Sequence, residues 1–231
     1  NNQIKEFIQL LGNSQQQALA QGMDADLWAA KDFTESDAAY LERILEGSDR
    51  DPAAWSIGSK VWLPYDESND DSALPNGAPT PADPSQAASA REKIRPATIE
   101  ADTFLLPASA ILCLRGLSPY LELITGIPSL TADVSPLLLA YIQLFNSRCT
   151  QLILGAGATK IVGLKNITTK HLALASRALG FVATLIPYLR EFVRRHLGAG
   201  ASAAGLMGEF DKVRRVLQEH QASISEKLVE I

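Results

Sequence analysis

Apolar residues recur at helical spacing through most of the second half of the chain. Steps of three and four residues place them on one face of each segment. We predict four helices here, over residues 99–126, 131–154, 170–197 and 206–231. Ser129 and Thr131 are the cap candidates for the second of them, which ends at about Leu154. At ~1.5 Å per residue, such helices reach roughly 35 to 45 Å. Pro107 and Pro119 interrupt the first pattern, and we expect Pro119 to split it.

The first third of the chain predicts two shorter helices. Ile4, Phe7 and Ile8 lie on one face of a helix over residues 1–21. This stripe is short and needs a partner surface, either the downstream bundle or a segment upstream. Thr34 and Asp37 have the spacing of a capping box for a helix over residues 35–45.

Composition divides the chain into three parts. Residues 1–65 form an amino-terminal helical segment that ends in an apolar patch around Trp55 and Trp62. We interpret the patch as extended and packed, with an exposed docking site as the alternative. Residues 66–98 are rich in Pro, Ser and Asp and predict a mobile linker. Residues 99–231 predict the main bundle, so the expected fold is an all-α, elongated antiparallel helical bundle.

Glycines in the centre of the chain resemble a phosphate-binding loop only in part. Gly155 and Gly157 match the first two glycines of a dinucleotide-binding fingerprint. Lys160 stands where that fingerprint needs a third glycine. A Walker loop needs Gly-Lys-Ser/Thr, and no glycine here is followed by lysine. The glycines therefore predict a break between two helices. A nucleotide-binding protein that uses residues 155–157 is the alternative from a different class.

The same region carries a family resemblance. The strings NSRCTQLILGAGA, VGLKNITTK and LALASR between Asn146 and Arg177 resemble the signature of the vacuolar-protein-sorting-54 family. The resemblance extends more loosely over 99–231. The linker and the Gly/Ala-rich turn at 198–205 depart from the family, so contacts carried by loops are not transferred.

This resemblance implies the helical-rod architecture of a non-catalytic subunit in the Golgi-associated retrograde protein (GARP) tethering complex. The family assembles with the vacuolar-protein-sorting proteins 51, 52 and 53 and acts in retrograde transport from endosomes. Its expected location is peripheral, on the cytosolic face of the trans-Golgi network and endosomes. It also implies SNARE contact through an amino-terminal region that does not match this chain. A subunit of a related tethering complex is the alternative.

Candidate chemistry is sparse. The two cysteines, Cys113 and Cys149, lie in apolar helical patterns, so we expect buried thiols rather than a disulfide. The three histidines have no metal-site spacing, and we expect no catalytic site, metal or cofactor. The longest uncharged runs are about a dozen residues, shorter than a membrane span needs, so a soluble chain is expected.

Charge is unevenly distributed although the net charge is only −5. Residues 146–197 contain eight Lys or Arg and one acidic residue. Arginines at a helix carboxyl end stabilise the helix dipole, which is the simpler interpretation. A binding surface for anionic lipid or an acidic partner is the alternative, and nucleic acid is not expected. The candidate contacts are Lys165, Lys170, Arg190, Arg194 and Arg195. Reversal of Lys165, Lys170, Arg194 and Arg195 to glutamate should weaken binding to liposomes or a partner without unfolding the chain.

Overall fold

The computed structural model describes residues 2–56, 94–153, 167–198 and 200–229 of the chain. Its helices confirm the all-α class. They are α1 Asn2–Asp24, α2 Glu35–Gly47, α3 Ala53–Ser56, α4 Ala108–Gly126, α5 Thr131–Ile153, α6 Thr169–Leu197 and α7 Ala201–Val229, with a 3-10 turn at Pro128–Leu130. The predicted break at Gly155 and Gly157 lies outside the described residues.

Two short antiparallel ribbons accompany the helices. β1, Ala30–Lys31, pairs with β4, Leu106–Pro107. β2, Ala97–Ile99, pairs with β3, Asp102–Phe104, around a turn at Glu100 that has φ 52°. The prediction that a helix begins near residue 99 was therefore wrong. The helix begins only at Ala108, after an extended Pro107 at its N-cap.

The carboxyl end of the predicted linker also differs from the structure. Ala97 and Ile99 are buried while Thr98 between them is exposed, as in a strand with one face on the core. The Arg95 amide donates to Asp32 Oδ1 at 2.8 Å. Residues 94–98 thus belong to the packed fold, and the remainder of the predicted linker lies outside the described residues.

Two other local predictions need correction. Pro119 lies inside α4 without splitting it, because Leu117 and Leu121 on either side of it are buried and packing outweighs the lost hydrogen bond. Trp55 lies in the short helix α3 rather than in an extended segment, and it packs edge-on against Phe192 with ring centroids 5.7 Å apart. The rest of that patch, including Trp62, lies outside the described residues.

A continuous hydrophobic core joins both ends of the chain. α6 packs along α7, and α5 packs against α1, α4, α6 and α7. The largest fully buried rings include Phe145, Phe181 and Phe210, one from each of the last three helices. Ile8 from α1 enters the same core, whereas Ile4 and Phe7 remain 47% and 57% exposed. The downstream bundle therefore supplies only part of the partner surface predicted for α1.

The helix α6 combines a membrane-like composition with a core position. Within the described residues, α6 is the one continuous helix with the length and hydropathy to cross a bilayer. Of its most apolar 18-residue stretch, 61% is buried inside the fold. α4 and the segment from Pro128 to Ile153 reach the length and hydropathy of a membrane span only when they are taken together, and a bend of 118° separates them. Core helices share this length and composition, and here the apolar side chains of α6 pack against α5 and α7.

Both cysteines are buried and free, as predicted. Burial raises the pKa of the Cys113 and Cys149 thiols well above their usual range. A thiol that stays protonated is a poor nucleophile and a poor metal ligand. The two cysteines therefore act as small apolar residues in the core.

The predicted capping box at α2 is present and extends to a second helix. Asp37 is 1% exposed, and its Oδ2 accepts the Thr34 backbone N–H at 3.0 Å. The Asp37 N–H donates to Thr34 Oγ1 at 3.3 Å, and Arg115 Nε of α4 donates to Asp37 Oδ1 at 2.6 Å. Burial alone would raise the pKa of Asp37, but the hydrogen bonds from Thr34 and Arg115 outweigh it and hold the pKa below 3.8.

Replacing this carboxylate should make stability less sensitive to acid. Asp37→Asn should lower the free energy of unfolding by about 2 kcal/mol at neutral pH, because it removes charged hydrogen bonds. A group with a depressed folded-state pKa contributes stability above its ordinary pKa and loses it as the pH falls. The difference from wild type should therefore shrink below about pH 4 in urea titrations. The exposed Asp49→Asn control should show little difference, and a gap of constant size at pH 7 and pH 3 would contradict the assignment.

Candidate functional site

The structure does not assemble the predicted basic residues into one patch. Lys165 lies outside the described residues. Lys170 is in the first turn of α6, whereas Arg190, Arg194 and Arg195 are near its carboxyl end. Twenty residues of helix separate Lys170 from Arg190, which is about 30 Å. The two groups therefore face different surroundings.

The three arginines at the end of α6 already have acidic partners. Arg190 Nε lies 3.1 Å from Asp211 Oδ1 of α7. Arg194 Nε donates to Glu191 Oε2 at 2.8 Å within the same helix. Arg195 Nη1 donates at 3.0 Å to Oδ1 of Asp51, a residue that follows α2 in the chain. Their geometry is that of structural ion pairs, and it favours the simpler interpretation of these residues.

Arg195 and His196 fasten α6 to the segment between α2 and α3. Arg195 Nη1 also donates to the Gly47 carbonyl at 3.1 Å. His196 Nε2 lies 3.1 Å from Asp51 Oδ2, and its Nδ1 lies 2.8 Å from the Phe192 carbonyl oxygen. The His196 side chain is 7% exposed. This cluster links the end of α6 to the amino-terminal part of the chain.

Charge reversal at neighbouring positions should therefore give different results. Arg195→Glu should lower the free energy of unfolding by about 1 to 2 kcal/mol, because it removes these hydrogen bonds and places two carboxylates together. Arg194→Glu should change it by less than about 0.5 kcal/mol, since only a surface pair is lost. Urea denaturation measures both. Equal effects of the two substitutions would contradict the anchoring role of Arg195.

An apolar groove lies at the opposite end of α6. Its volume is about 820 Å³. Three separate segments form it: residues 28–30 at β1, residues before, within and after the β2–β3 ribbon, and the first turns of α6 with the Thr168 that precedes them. The lining residues are Trp28, Ala29, Ala30, Ile94, Pro96, Thr103, Leu105, Thr168, Lys170, His171, Ala173, Leu174 and Arg177.

The local sequence fixes the α6 side of this groove. Thr168 is extended at the N-cap, and its backbone N–H donates to His171 Nδ1 at 3.1 Å. His171 thus performs the role that Glu or Gln has in a capping box. Because Nδ1 accepts, the proton of the neutral ring is on Nε2. Thr168 is therefore the N-cap of α6, and His171 supplies the return hydrogen bond to its backbone N–H.

The other walls of the groove are hydrophobic. Ile94 is 41% exposed and Leu105 is 45% exposed. Trp28 contributes to the lining with φ 53°, an uncommon backbone conformation for a bulky residue. Asp26 holds this turn by accepting the Trp28 N–H at 2.9 Å and the Ser109 N–H at 2.7 Å. The groove is therefore built on a turn that is fixed to the start of α4.

A smaller polar pocket shares Arg177 with the groove. Its volume is about 230 Å³, and Arg214, Gln218 and Gln221 of α7 contribute to its lining. Asp102 and Thr184 also line this pocket. Arg177 therefore stands between an apolar cavity and a polar one.

The cations around these cavities lack acidic partners. In the described ranges, Lys31, Lys170, Arg177 and Arg214 form no ion pair, whereas most other arginines do. Lys31 adjoins the groove residue Ala30. Sequence reasoning singled out Lys170 but missed Arg177 and Arg214. The seven-residue spacing of Lys170 and Arg177, which keeps both on one helix face, was the available signal.

Metal-binding chemistry is not evident where the structure is described. Within residues 2–56, 94–153, 167–198 and 200–229, no three His, Cys, Asp or Glu side chains are grouped for a metal ion. The glycines considered for nucleotide binding, Gly155 and Gly157, lie outside these ranges. The described residues do form an apolar groove with Lys170 and Arg177 in its lining.

The comparison with protein families agrees with the helical part of this fold. A family model described as Vps54-like protein matches residues 101–231, which is more than half of the chain. The chain belongs to the Vps54-like family. The resemblance inferred from the sequence strings near Asn146 is thereby confirmed, and neither alternative class is favoured. The match covers β3, β4 and α4 to α7, whereas α1 and α2 precede it.

Relatives of this Vps54-like chain occur across eukaryotes. Vacuolar protein sorting-associated protein 54 of Homo sapiens is 36% identical over 151 residues, which are 64% of this chain and 15% of the human protein. The Caenorhabditis elegans protein of that name is 34% identical over 143 residues, covering 62% and 13%. The Schizosaccharomyces pombe protein is 24% identical over 215 residues, covering 93% and 21%. The chain thus spans about an eighth to a fifth of the length of these relatives, and no solved structure matches it.

Proposed function

We propose that this Vps54-like chain is a non-catalytic, helical interaction segment of a vesicle-tethering subunit. The subunit acts in the GARP complex during retrograde transport from endosomes to the trans-Golgi network. The family match over residues 101–231, which falls on the main helices of the bundle, is the observation that carries the proposal. A packed bundle is well suited to hold contact surfaces at fixed positions.

The chemistry of the described residues supports a role without catalysis. His171 caps α6, and His196 bridges Asp51 and the Phe192 carbonyl. His220 Nδ1 lies 2.8 Å from Oδ1 of the buried Asn146. Each histidine is therefore engaged in holding helices in place, and both thiols are buried. The three histidines and the two cysteines thus serve the fold itself.

The proposed partners follow from family membership. They are the vacuolar-protein-sorting proteins 51, 52 and 53 within the complex, and SNAREs through parts of the subunit that do not match this chain. The proposed location is peripheral, on the cytosolic face of the trans-Golgi network and endosomes. An anionic membrane surface is a further proposed contact, and Lys170 is the member of the predicted basic set that remains unpaired for it among the described residues.

Replacement of the corresponding segment in a full-length relative tests this proposal. Cells that lack their own subunit would express the human protein with this chain in place of its matching segment. We expect a cargo that cycles through endosomes to return to the trans-Golgi network, as quantified by microscopy. A version with the segment deleted should leave the cargo in peripheral carriers. Normal cargo return with the segment deleted would overturn the proposal.

A further inference from the structure

The groove at the start of α6 has the character of a docking site for a helix. We propose that it binds an acidic amphipathic helix of a partner protein, with carboxylates seven residues apart and apolar side chains between them. The inference rests on the proposed function as an interaction segment and adds the chemistry of one partner.

The shape of the groove suits an inserted row of apolar side chains. Ile94 and Leu105 are exposed on one side, and the half-buried Leu174 lines the α6 side. Exposed apolar residues grouped around a concave surface mark a binding site more often than isolated ones do. Helices that dock in such grooves present anchors at positions i, i+3, i+4 and i+7.

The spacing on α6 specifies the complement. Lys170 and Arg177 lie on one face, two turns and about 10.5 Å apart along the axis. Ala173 and Leu174 lie between them on that face, and the small Ala173 permits close approach. A partner helix with Glu or Asp at i and i+7 and Leu at i+3 and i+4 repeats the same spacing. Each carboxylate then meets a cation while the leucines enter the groove.

The charge of the site supports an acidic partner. Lys170 and Arg177 lack carboxylate partners in the part of the chain that is described, although the whole chain has a net charge of −5. In contrast, Arg195 and Arg148, at other helix interfaces, each pair with an aspartate. Unpaired cations beside an apolar surface favour anionic ligands and reject basic ones.

A protein helix fits this geometry better than a bilayer does. The apolar side chains lie in a concavity, where a protruding helix makes contact but a flat membrane surface does not. The fixed separation of Lys170 and Arg177 also matches a rigid helical ligand, whereas mobile lipid headgroups need no such spacing. Anionic vesicles are therefore the competing ligand in the test.

The test measures binding of designed peptides to the full 231-residue chain. A fluorescein-labelled amphipathic peptide with Glu at i and i+7 and Leu at i+3 and i+4 is titrated by fluorescence anisotropy. The matched peptide has Lys in place of both Glu residues. We expect the acidic peptide to bind at least about tenfold more tightly, since reversed charges bring like charges together.

Variants locate the binding to the groove. The double variant Lys170→Glu with Arg177→Glu should bind the acidic peptide about tenfold more weakly and should gain affinity for the lysine peptide. Lys5→Glu with Lys227→Glu changes the net charge equally, at exposed cations that form no ion pair with any other described residue, and should leave both affinities unchanged. Circular dichroism and thermal unfolding establish that each variant is folded.

Three results would overturn the inference. They are equal affinities of the two peptides for the wild-type chain, equal losses in the groove and control variants, and groove-dependent flotation with anionic vesicles without peptide binding. The cell replacement experiment is independent of these outcomes. If it succeeds while the peptide fails to bind, only the docking inference is lost. If peptide binding holds and cargo return fails, only the proposed function is lost.

Discussion

Removal of residues 1–56 is expected to unfold the remainder of the chain. This segment contributes large apolar side chains to the shared core, and each contributes about 1.5 to 3 kcal/mol by its burial. Their combined contribution is as large as, or larger than, the roughly 5 to 15 kcal/mol of stability that a whole domain has. The chain 57–231 should show no cooperative thermal transition by circular dichroism. The buried side chains that it would lose are Ile8, Leu19, Met23, Trp28, Phe33, Leu41, Ile44 and Trp55.

A matched control replaces exposed side chains of α1 while its buried side chains remain in place. Ile4→Ser with Phe7→Ser alters side chains that are 47% and 57% exposed, so it should leave the unfolding midpoint nearly unchanged. A cooperative transition of undiminished midpoint in the chain 57–231 would show that residues 94–229 form a core without α1 and α2. The family match, which begins at residue 101, would then coincide with an independent domain.

Gly116→Ala is expected to cause the largest loss of stability among single small substitutions. A Cβ at Gly116 would overlap the hydroxyl and ring of Tyr141, which is 1% exposed. The Tyr141 ring packs against Tyr120, with ring centroids 5.6 Å apart, and leaves little room for rearrangement. Overpacking of this kind costs about 2 to 3 kcal/mol. Urea denaturation should show this loss in the free energy of unfolding.

The same substitution in α7 should have the opposite sign. A Cβ at Gly208 meets nothing within 4 Å, and alanine is favoured over glycine within a helix by about 1 kcal/mol. Gly208→Ala should therefore stabilise the chain by up to that amount. If Gly116→Ala proved as stable as wild type, the close packing of α4 on α5 would be contradicted.

The helices were predictable because their signal is local. The apolar spacing of the bundle helices, and the Thr34 and Asp37 pair at α2, specify structure within a few residues of themselves. The ribbons were missed because β1 and β4 contain two residues each and pair over a long sequence separation. The start of α7 was placed too late, since Gly198, Gly200 and Gly205 resemble a flexible turn, yet Gly205 lies within the helix.

The candidate site was predictable only in its residue types. Arg195 belonged to an evident basic cluster, but its partner Asp51 is 144 residues away in sequence. No spacing rule connects positions so far apart in sequence. An arginine that is paired with a distant aspartate therefore has the same sequence pattern as an arginine that is free to contact a partner. The groove was hidden for the same reason, because Trp28, Leu105 and Leu174 come from three distant segments.

Cargo return measured across a stability series tests the account most directly. The series places Gly208→Ala, the wild-type segment, Asp37→Asn and Gly116→Ala in the full-length replacement protein. A non-catalytic scaffold predicts that cargo return to the trans-Golgi network follows the fraction of the segment that is folded at the assay temperature. Full cargo return from a variant whose segment is unfolded at that temperature would contradict it.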